Sequence, residues 1–304
     1  MMRFERRLPV GPAVALAIAV ACFGLTPARA QPASPASEAV PAETVQPALV
    51  KLLPPPIAQS KTLVVAVTVG SPPDEFRNSD GEIVGWEIDI IRGAAESLGL
   101  KLDFRPITFD SVIPGLQAHR FDAAVGQIGI TDVREKVVDM VGTLLGNELF
   151  AARSNSDIEV RSLDDLCGRT VSTTRGSREY EFMQAQNPKC TAAGKPPINA
   201  LVFNDGVSAS DSLINERSDL FWLGSTGVGY FVAQSHGRAK VVGHYTDMSY
   251  IGIALPKGSD MSKPLQAAVQ HLIDDGTYAK IVRKWGLEGG AIKQVPINPT
   301  GIAS

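Results

Sequence analysis

From Lys61 to about residue 290, the chain alternates short apolar runs with helical patterns. The run at residues 63–69 has the length of a strand. Apolar residues then recur at three- and four-residue spacing until Gly99, at Ile88, Ile91, Ala95 and Leu98. This spacing is typical of one helix face, and glycine commonly follows the last helical residue. Strand, helix and strand in succession form crossover units, so the alternation predicts an α/β fold with a mostly parallel sheet.

The same pattern continues along the chain and restarts after Arg153. It predicts further strands at residues 102–107, 123–125, 170–172, 201–203, 220–223, 241–242 and 250–255. It predicts helices through 112–116, from Ser177, across 213–214, and around 267–273 and 278–285, with a loop at 224–229 opening another helix. The strand at 123–125 runs into a polar loop at 127–132. Because loops after parallel strands carry ligand sites, we expect a ligand there.

The first thirty residues follow the pattern of an export signal. Arg3, Arg6 and Arg7 precede an apolar stretch at 8–25, and Ala28-Arg29-Ala30 forms an A-x-A cleavage site. Proline and glycine interrupt the apolar stretch, which is short for a membrane span of about twenty residues. We therefore predict a signal peptide at 1–30. Its loss removes four arginines and one glutamate, which changes the formal charge from −3 to −6.

A second export pattern remains open at Cys22. Ala19-Val20-Ala21-Cys22 resembles an imperfect lipobox, and the Pro/Ala-rich segment 31–60, which includes Pro54-Pro55-Pro56, reads as an extended, disordered spacer suited to a tether. The A-x-A site is the better match. Soluble export to the periplasm is thus favoured, with a lipid anchor at Cys22 as the alternative.

The other two cysteines predict a disulfide. Cys167 and Cys190 are even in number and would lie in an oxidising compartment. No CxxC is present and the four histidines, at positions 119, 236, 244 and 271, are scattered, so no metal site is expected. The formal charge of −3 also lacks the basic footprint that nucleic-acid binding requires.

Several motifs together resemble the family 3 amino-acid-binding proteins, extracytoplasmic solute-binding proteins that serve ABC importers. They span residues 61 to 290: Gly70-Ser71-Pro72-Pro73, Gly85-Trp86-Glu87-Ile88-Asp89, Phe109-Asp110-Ser111-Val112-Ile113-Pro114-Gly115-Leu116, Phe121-Asp122-Ala123, Thr131-Asp132-Val133-Arg134, Asp275-Gly276-Thr277-Tyr278 and Trp285-Gly286. Each motif alone is weak, but their order and spacing are specific.

The resemblance implies a type II periplasmic-binding-protein fold, with a mostly parallel sheet in each lobe and two hinge crossings. Lobe one would comprise 61–150 plus 248–295, lobe two 151–247, and the C-terminal tail 296–304. The implied function is capture of an amino acid or related small carboxylate between the lobes and its delivery to an inner-membrane ABC permease. The implied protein is a monomer without a cofactor or enzymatic activity.

The resemblance also implies a set of ligand-binding residues. Arg134 matches the arginine that grips the ligand carboxylate, as a planar guanidinium can with two parallel hydrogen bonds, although an ordinary surface arginine is the alternative. Phe109 and Trp86 match aromatic positions near the cleft, where core packing is the alternative. The remaining matches are loop and helix-start positions: Gln127, Gly129, Thr174, Ser177 and Arg178.

One position departs from the family pattern. Gly224, followed by Ser225, stands where the family usually has an aspartate that holds the ligand ammonium. We therefore expect room for a larger group there, and a ligand with an atypical or missing α-ammonium, unless Asp205 or Glu75 supplies the charge.

Other functional classes remain open. A secreted lyase resembling cyclohexadienyl dehydratases would need a buried acid, for which Glu75, Glu87 and Asp205 are the candidates. A sensor ectodomain would need a membrane span after the globular part, and none is expected.

Overall fold

The computed structural model describes Met2 and residues 40–299, apart from the side chains of Thr246 and Asp247. The predicted signal peptide, Cys22 and residues 31–39 lie outside this range, except for Met2. No helix among the described residues combines the length and apolar character needed to span a bilayer.

The strands are β1 (Thr62–Val67), β2 (Phe76–Arg77), β3 (Ile83–Val84), β4 (Lys101–Pro106), β5 (Ala123–Val125), β6 (Val138–Arg153), β7 (Thr170–Thr174), β8 (Asn199–Phe203), β9 (Leu220–Gly224) and β10 (Ala239–Pro256). The helices are α1 (Pro47–Val50), α2 (Pro55–Ser60), α3 (Trp86–Ser97), α4 (Val112–Gln117), α5 (Asp132–Glu135), α6 (Arg178–Ala192), α7 (Gly206–Ile214), α8 (Ser225–Gln234), α9 (Ser262–Asp274) and α10 (Thr277–Lys284). Short 3-10 turns lie at Phe109–Ser111, Leu163–Leu166 and Glu288–Gly290.

Two lobes share one eight-stranded sheet of order β4-β1-β5-β10-β6-β9-β7-β8. In lobe one β1 runs parallel to β4 and β5, and in lobe two β7 runs parallel to β8 and β9. The long strands β6 and β10 pair antiparallel with each other. Each crosses from one lobe to the other, which confirms the two-lobed type II fold with two hinge crossings.

The hinge strands are longer than the sequence predicts. The short runs expected at 241–242 and 250–255 belong to the single strand β10, and β6 was not predicted at all. The reason is that β6 carries buried polar residues within its apolar run, including Asp139, Thr143 and Glu148. The expected loop at 224–229 is also wrong, because α8 begins at Ser225.

Each lobe has its own apolar core. In lobe one, α3, α9 and α10 pack on the sheet and enclose Trp86, Ile91 and Leu265. In lobe two, Phe150 and Trp222 pack with ring centroids 4.5 Å apart and are fully buried. Burial of such large side chains contributes roughly 1.5–3 kcal/mol each.

The segment before β1 is folded onto lobe one. Leu49, Leu53 and Ile57 pack against the lobe-one core, and the Gln46 amide donates to Ser97 O at 2.8 Å. The expected disordered spacer is therefore wrong for residues 40–60. Two signals explain the difference: these three apolar residues recur every four positions, and Pro55 occupies the first turn of α2, where proline favours helix formation.

The end of the chain also joins lobe one. The Gly142 amide donates to Pro296 O at 3.0 Å, and the Asn298 amide donates to Met140 O at 2.8 Å. Residues 296–298 of the predicted tail thus pair with β6.

The predicted disulfide is confirmed. Cys167 and Cys190 are bonded, with Cα atoms 5.6 Å apart, and both pack in the lobe-two core. The bond closes a loop with a sequence separation of 23 residues, which restricts the unfolded chain.

We expect the double variant Cys167→Ser/Cys190→Ser to lose about 3 kcal/mol of unfolding free energy. Urea denaturation of the oxidised wild type and the variant measures this loss. The matched control is dithiothreitol, which should destabilise the wild type and leave the variant unchanged. Two labelled thiols at these positions in denatured, unreduced exported protein would contradict the bond.

Candidate ligand-binding cleft

A cleft lies between the lobes, where strand ends and helix starts from both sides converge. It encloses about 650 Å³, its open mouth included. The residues that line it are Thr68, Val69, Ser71, Phe109, Gly126, Gln127, Gly129, Arg134, Gly146, Asn147, Glu148, Thr174, Ser177, Arg178, Glu179, Asn204, Asp205, Leu223, Gly224 and Ile251. Clefts at strand ends are common positions for small-molecule sites.

Arg134 is held in the cleft by its own loop. The Thr131 side chain caps α5 and accepts from the Arg134 amide at 3.2 Å, and Arg134 Nη1 donates to Gly129 O at 3.0 Å. The guanidinium carbon lies 5.4 Å from the centre of the Phe109 ring. Burial lowers the pKa of Arg134, opposed by the negative charges of Glu181 and Glu179. Arginine nevertheless stays charged, so the cleft contains a cation with donors to spare.

A second guanidinium approaches Gly129 from lobe two. Arg178 is the first residue of α6 after the Ser177 cap, and its Nη2 donates to Ser249 Oγ at 3.1 Å. It also forms a buried ion pair with Glu148. A side-chain Cβ at Gly129 would lie only 3.3 Å from the Arg178 guanidinium carbon. Glycine at this position therefore lets the two cations come close together.

The charge balance around Gly129 favours an anion. Burial lowers the pKa of Arg178, and the nearby charge of Arg134 lowers it further, against the opposing effect of Glu179. Two cations at short range repel strongly in a medium of low dielectric constant. Glu148 compensates Arg178 directly. Among the described residues Arg134 forms no ion pair: its guanidinium contacts the Gly129 carbonyl and the Phe109 ring, and Glu179 and Glu181 act on it at longer range. A ligand carboxylate would complete this arrangement.

The space beside Gly224 is filled by Gln127. A Cβ at Gly224 would overlap the Gln127 amide, whose Nε2 donates to the Thr226 hydroxyl. Gln127 adopts a left-handed backbone conformation with φ 52°, and its backbone N–H donates to Glu87 Oε2 at 2.6 Å. The expectation that Gly224 leaves room for a larger ligand group is therefore wrong. A neutral amide therefore fills the position where the family resemblance leads us to expect a charge.

The three candidate acids, Asp205, Glu75 and Glu87, lie in two different parts of the structure. Asp205 lines the cleft and caps α7, accepting from the Ser208 amide at 2.7 Å and the Ser208 hydroxyl at 2.9 Å. Glu75 and Glu87 are outside the cleft lining and lie buried with Asp74 in lobe one. They therefore do not reach a ligand directly.

The buried acids form a cluster, here called the acid trio (Asp74, Glu75 and Glu87). Burial, followed by the charge of Glu87, raises the pKa of Asp74 from 3.8 to about 8. Burial, followed by the charges of Glu87 and Asp74, raises the pKa of Glu75 well above its usual value. Burial also raises the pKa of Glu87, opposed by hydrogen bonds from Glu75 and from the Gln127 and Gly126 amides. Asp74 therefore retains its proton at neutral pH.

Most of the predicted site residues meet in the cleft: Arg134, Phe109, Gln127, Gly129, Thr174, Ser177, Arg178 and Gly224 line it. Two of the predicted residues lie elsewhere. Trp86 is fully buried in the core and donates to Asp74 Oδ1 at 2.5 Å, and Ser225 Oγ accepts from the Asn147 amide at 3.3 Å outside the lining. The core alternative therefore holds for Trp86.

Sequence reasoning missed Glu148, Asn147 and Asn204, among others. Glu148 could have been found from the pattern, because an acidic residue within an otherwise apolar strand is costly to bury without a partner. Here Arg178 is that partner.

Contacts across the cleft show a closed arrangement of the lobes. The Val207 amide of lobe two donates to Gly70 O of lobe one at 3.1 Å. The Gln127 side chain of lobe one reaches Thr226 of lobe two. Closure of two lobes around two hinges is a common ligand-binding motion.

Known proteins resemble this chain in sequence and in structure. A model of the bacterial extracellular solute-binding proteins, family 3, matches residues 63–288. The arginine-binding protein ArgT of Corynebacterium glutamicum is 31% identical over 255 residues, covering 83% of this chain and 83% of that protein. The structure of an ancestral arginine-binding protein bound to arginine has a TM-score of 0.67 at 29% identity, covering 74% of this chain and 98% of that chain. An ancestral amino acid-binding protein described as a precursor of cyclohexadienyl dehydratase has the same TM-score at 24% identity, covering 76% of this chain and 97% of that chain, and indicates the shared fold alone.

Proposed function

Since the chain belongs to the bacterial extracellular solute-binding proteins of family 3, we propose that it captures an amino acid or a related small carboxylate between its lobes and delivers it to an ABC importer. The observation that carries this proposal is the pair of guanidiniums beside Gly129. Arg134 has guanidinium donors beyond its hydrogen bond to Gly129 O that can bind a carboxylate, and Arg178 is held nearby by Glu148.

The ligand class follows from the groups around this anchor. With Gln127 beside Gly224, the usual carboxylate for an α-ammonium is replaced by an amide. Asp205 is the one nominated acid in the cleft, and its oxygens already accept from Ser208. We therefore propose a ligand with a carboxylate and an altered or missing α-ammonium, such as an N-substituted amino acid.

The working location and partners follow from the family. The family acts outside the cytoplasm, and we propose the periplasm, with a lipid at Cys22 as the alternative. The proposed partner is the permease of an inner-membrane ABC importer, and the proposed solution state is a monomer.

The dehydratase alternative has weaker support. Of its three candidate acids, Glu75 and Glu87 lie outside the cleft lining, and Asp205 is engaged as a helix cap. We propose binding without turnover.

Mass spectrometry of small molecules released from the purified, denatured protein tests the proposal. A single retained carboxylate supports capture. Conversion of an added cyclohexadiene carboxylate by the folded protein would support the lyase instead.

A thermal-shift screen tests the ligand class. We expect N-substituted amino acids, opine-like conjugates or carboxylates without an α-ammonium to stabilise the protein more than any standard amino acid, L-arginine included. A ligand at about a hundred times its dissociation constant stabilises the folded state by roughly 2.7 kcal/mol. Submicromolar binding of an unmodified amino acid, unchanged by Asp205→Ala, would contradict this ligand class.

A further inference from the structure

A cluster of three side chains outside the cleft joins the N-terminal segment to lobe one. Glu43 precedes α1, His271 lies in the last turn of α9, and Asp275 directly follows that helix. His271 Nε2 is 3.8 Å from Glu43 Oε2 and 3.7 Å from Asp275 Oδ2. One possible ligand atom from each residue lies within 4.8 Å of the others.

Two observations indicate that the cluster lacks a component. His271 Nε2 is buried and has no hydrogen-bond partner among the described residues, which is unfavourable for a polar atom. Within residues 40–299, the side chain within ion-pair distance of the Glu43 and Asp275 carboxylates is His271, and no lysine or arginine is that close. In the described part of the chain, two carboxylates therefore converge on His271 Nε2 with no lysine or arginine beside them to balance their charge.

We propose that Glu43, His271 and Asp275 form a Zn²⁺ site, with His271 Nε2 and one oxygen of each carboxylate as ligands. Zinc accepts this combination of nitrogen and oxygen donors, and a dication balances two carboxylates around a neutral imidazole. His271 and Asp275 are four residues apart, and because the cap residue Asp275 keeps a helical backbone conformation, this spacing places both side chains on one face. Tetrahedral zinc bonds separate ligand atoms by about 3.4 Å, so modest side-chain rotation suffices.

The surrounding hydrogen bonds support this geometry. Asp275 Oδ1 accepts from the Thr277 amide at 2.9 Å, which leaves Oδ2 directed at His271. The Glu43 amide donates to Glu96 Oε2 at 2.9 Å and fixes the backbone that carries the third ligand. Such outer contacts orient metal ligands. The metal would tie the N-terminal segment to α9 and so stabilise the fold.

Titration of the EDTA-stripped, untagged chain with ZnCl₂ in a calorimeter tests the site, and the visible absorption of Co²⁺ reports on its ligands. We expect one Zn²⁺ per chain, a thermal stabilisation by zinc, and at least about tenfold weaker binding in His271→Gln. The exposed histidine in β10 provides the matched control, because His244→Gln should bind as the wild type does.

Glu43→Gln and Asp275→Asn keep similar shapes and provide independent variants if His271→Gln folds poorly. We expect each to weaken zinc binding and to alter the Co²⁺ spectrum. Absence of binding up to about 1 mM Zn²⁺, or unchanged affinity in these variants, would overturn the site. These outcomes do not depend on the ligand of the cleft.

Discussion

Replacing Arg134 with alanine is expected to weaken ligand binding by roughly 2–5 kcal/mol, because a desolvated carboxylate would lose its charged partner. Arg134 donates to Gly129 O and lies over the Phe109 ring, so its guanidinium is already oriented before the ligand arrives. Calorimetry with the ligand recovered from the native protein measures the loss. A change below about tenfold, or about 1.4 kcal/mol, would exclude Arg134 from carboxylate binding.

Arg120 provides a matched control. Its guanidinium carbon lies 5.6 Å from the Phe121 ring centre, much as Arg134 lies over Phe109, but its side chain is exposed outside the cleft. Arg120→Ala should bind the ligand as the wild type does. Arg178→Ala is less informative, because it would leave the carboxylate of Glu148 buried without its ion-pair partner.

Asp74→Asn is expected to stabilise the protein by roughly 2–5 kcal/mol at pH 8 and to have little effect near pH 4. In the folded chain Asp74 keeps its proton up to about pH 8, whereas in the unfolded chain an aspartate loses it near pH 4. Folding therefore takes up a proton between these values. Asp74 thus lowers the unfolding free energy as pH rises through this window, by at most about 1.4 kcal/mol per pH unit.

Denaturant unfolding between pH 4 and pH 9 measures the difference. The amide in Asp74→Asn cannot ionise and still offers an oxygen to the Trp86 indole, so the pH slope should become shallower. Glu75 and Glu87 also have raised pKa values and leave part of the slope. The exposed Asp80→Asn should follow the wild type. Parallel pH profiles for Asp74→Asn and the wild type would show that Asp74 is ionised in the folded state.

Apolar periodicity and helix capping correctly predicted the elements that depend on neighbouring residues alone. The strand at 123–125 and the helix after the Ser177 cap occur as predicted, because apolar period and capping act over a few residues. The hinge strands β6 and β10 were missed or shortened since their polar residues are accommodated by partners from distant parts of the chain. Thr143 Oγ1, for example, donates to Ile251 O at 3.2 Å.

The site shows the same division. Motif order predicted Arg134 and its loop, but it could not show that the Gln127 amide lies beside Gly224, since that contact depends on closure of the lobes. The motif match placed Trp86 near the cleft, yet its indole is fully buried beside Asp74. The sequence also did not predict that Glu43 lies beside His271, because the segment before β1 was expected to be disordered.

The order of the lobes along the chain has a consequence for how the protein is made. Lobe two lies within one continuous stretch that includes its disulfide. The core of lobe one, in contrast, needs Leu265 and Leu272 from α9 and Trp285, which follows α10. Synthesis proceeds from the N-terminus, and domains generally fold as units. The half that is translated first therefore cannot complete its core until α9 and Trp285 have emerged, and Asn298 pairs with Met140 later still.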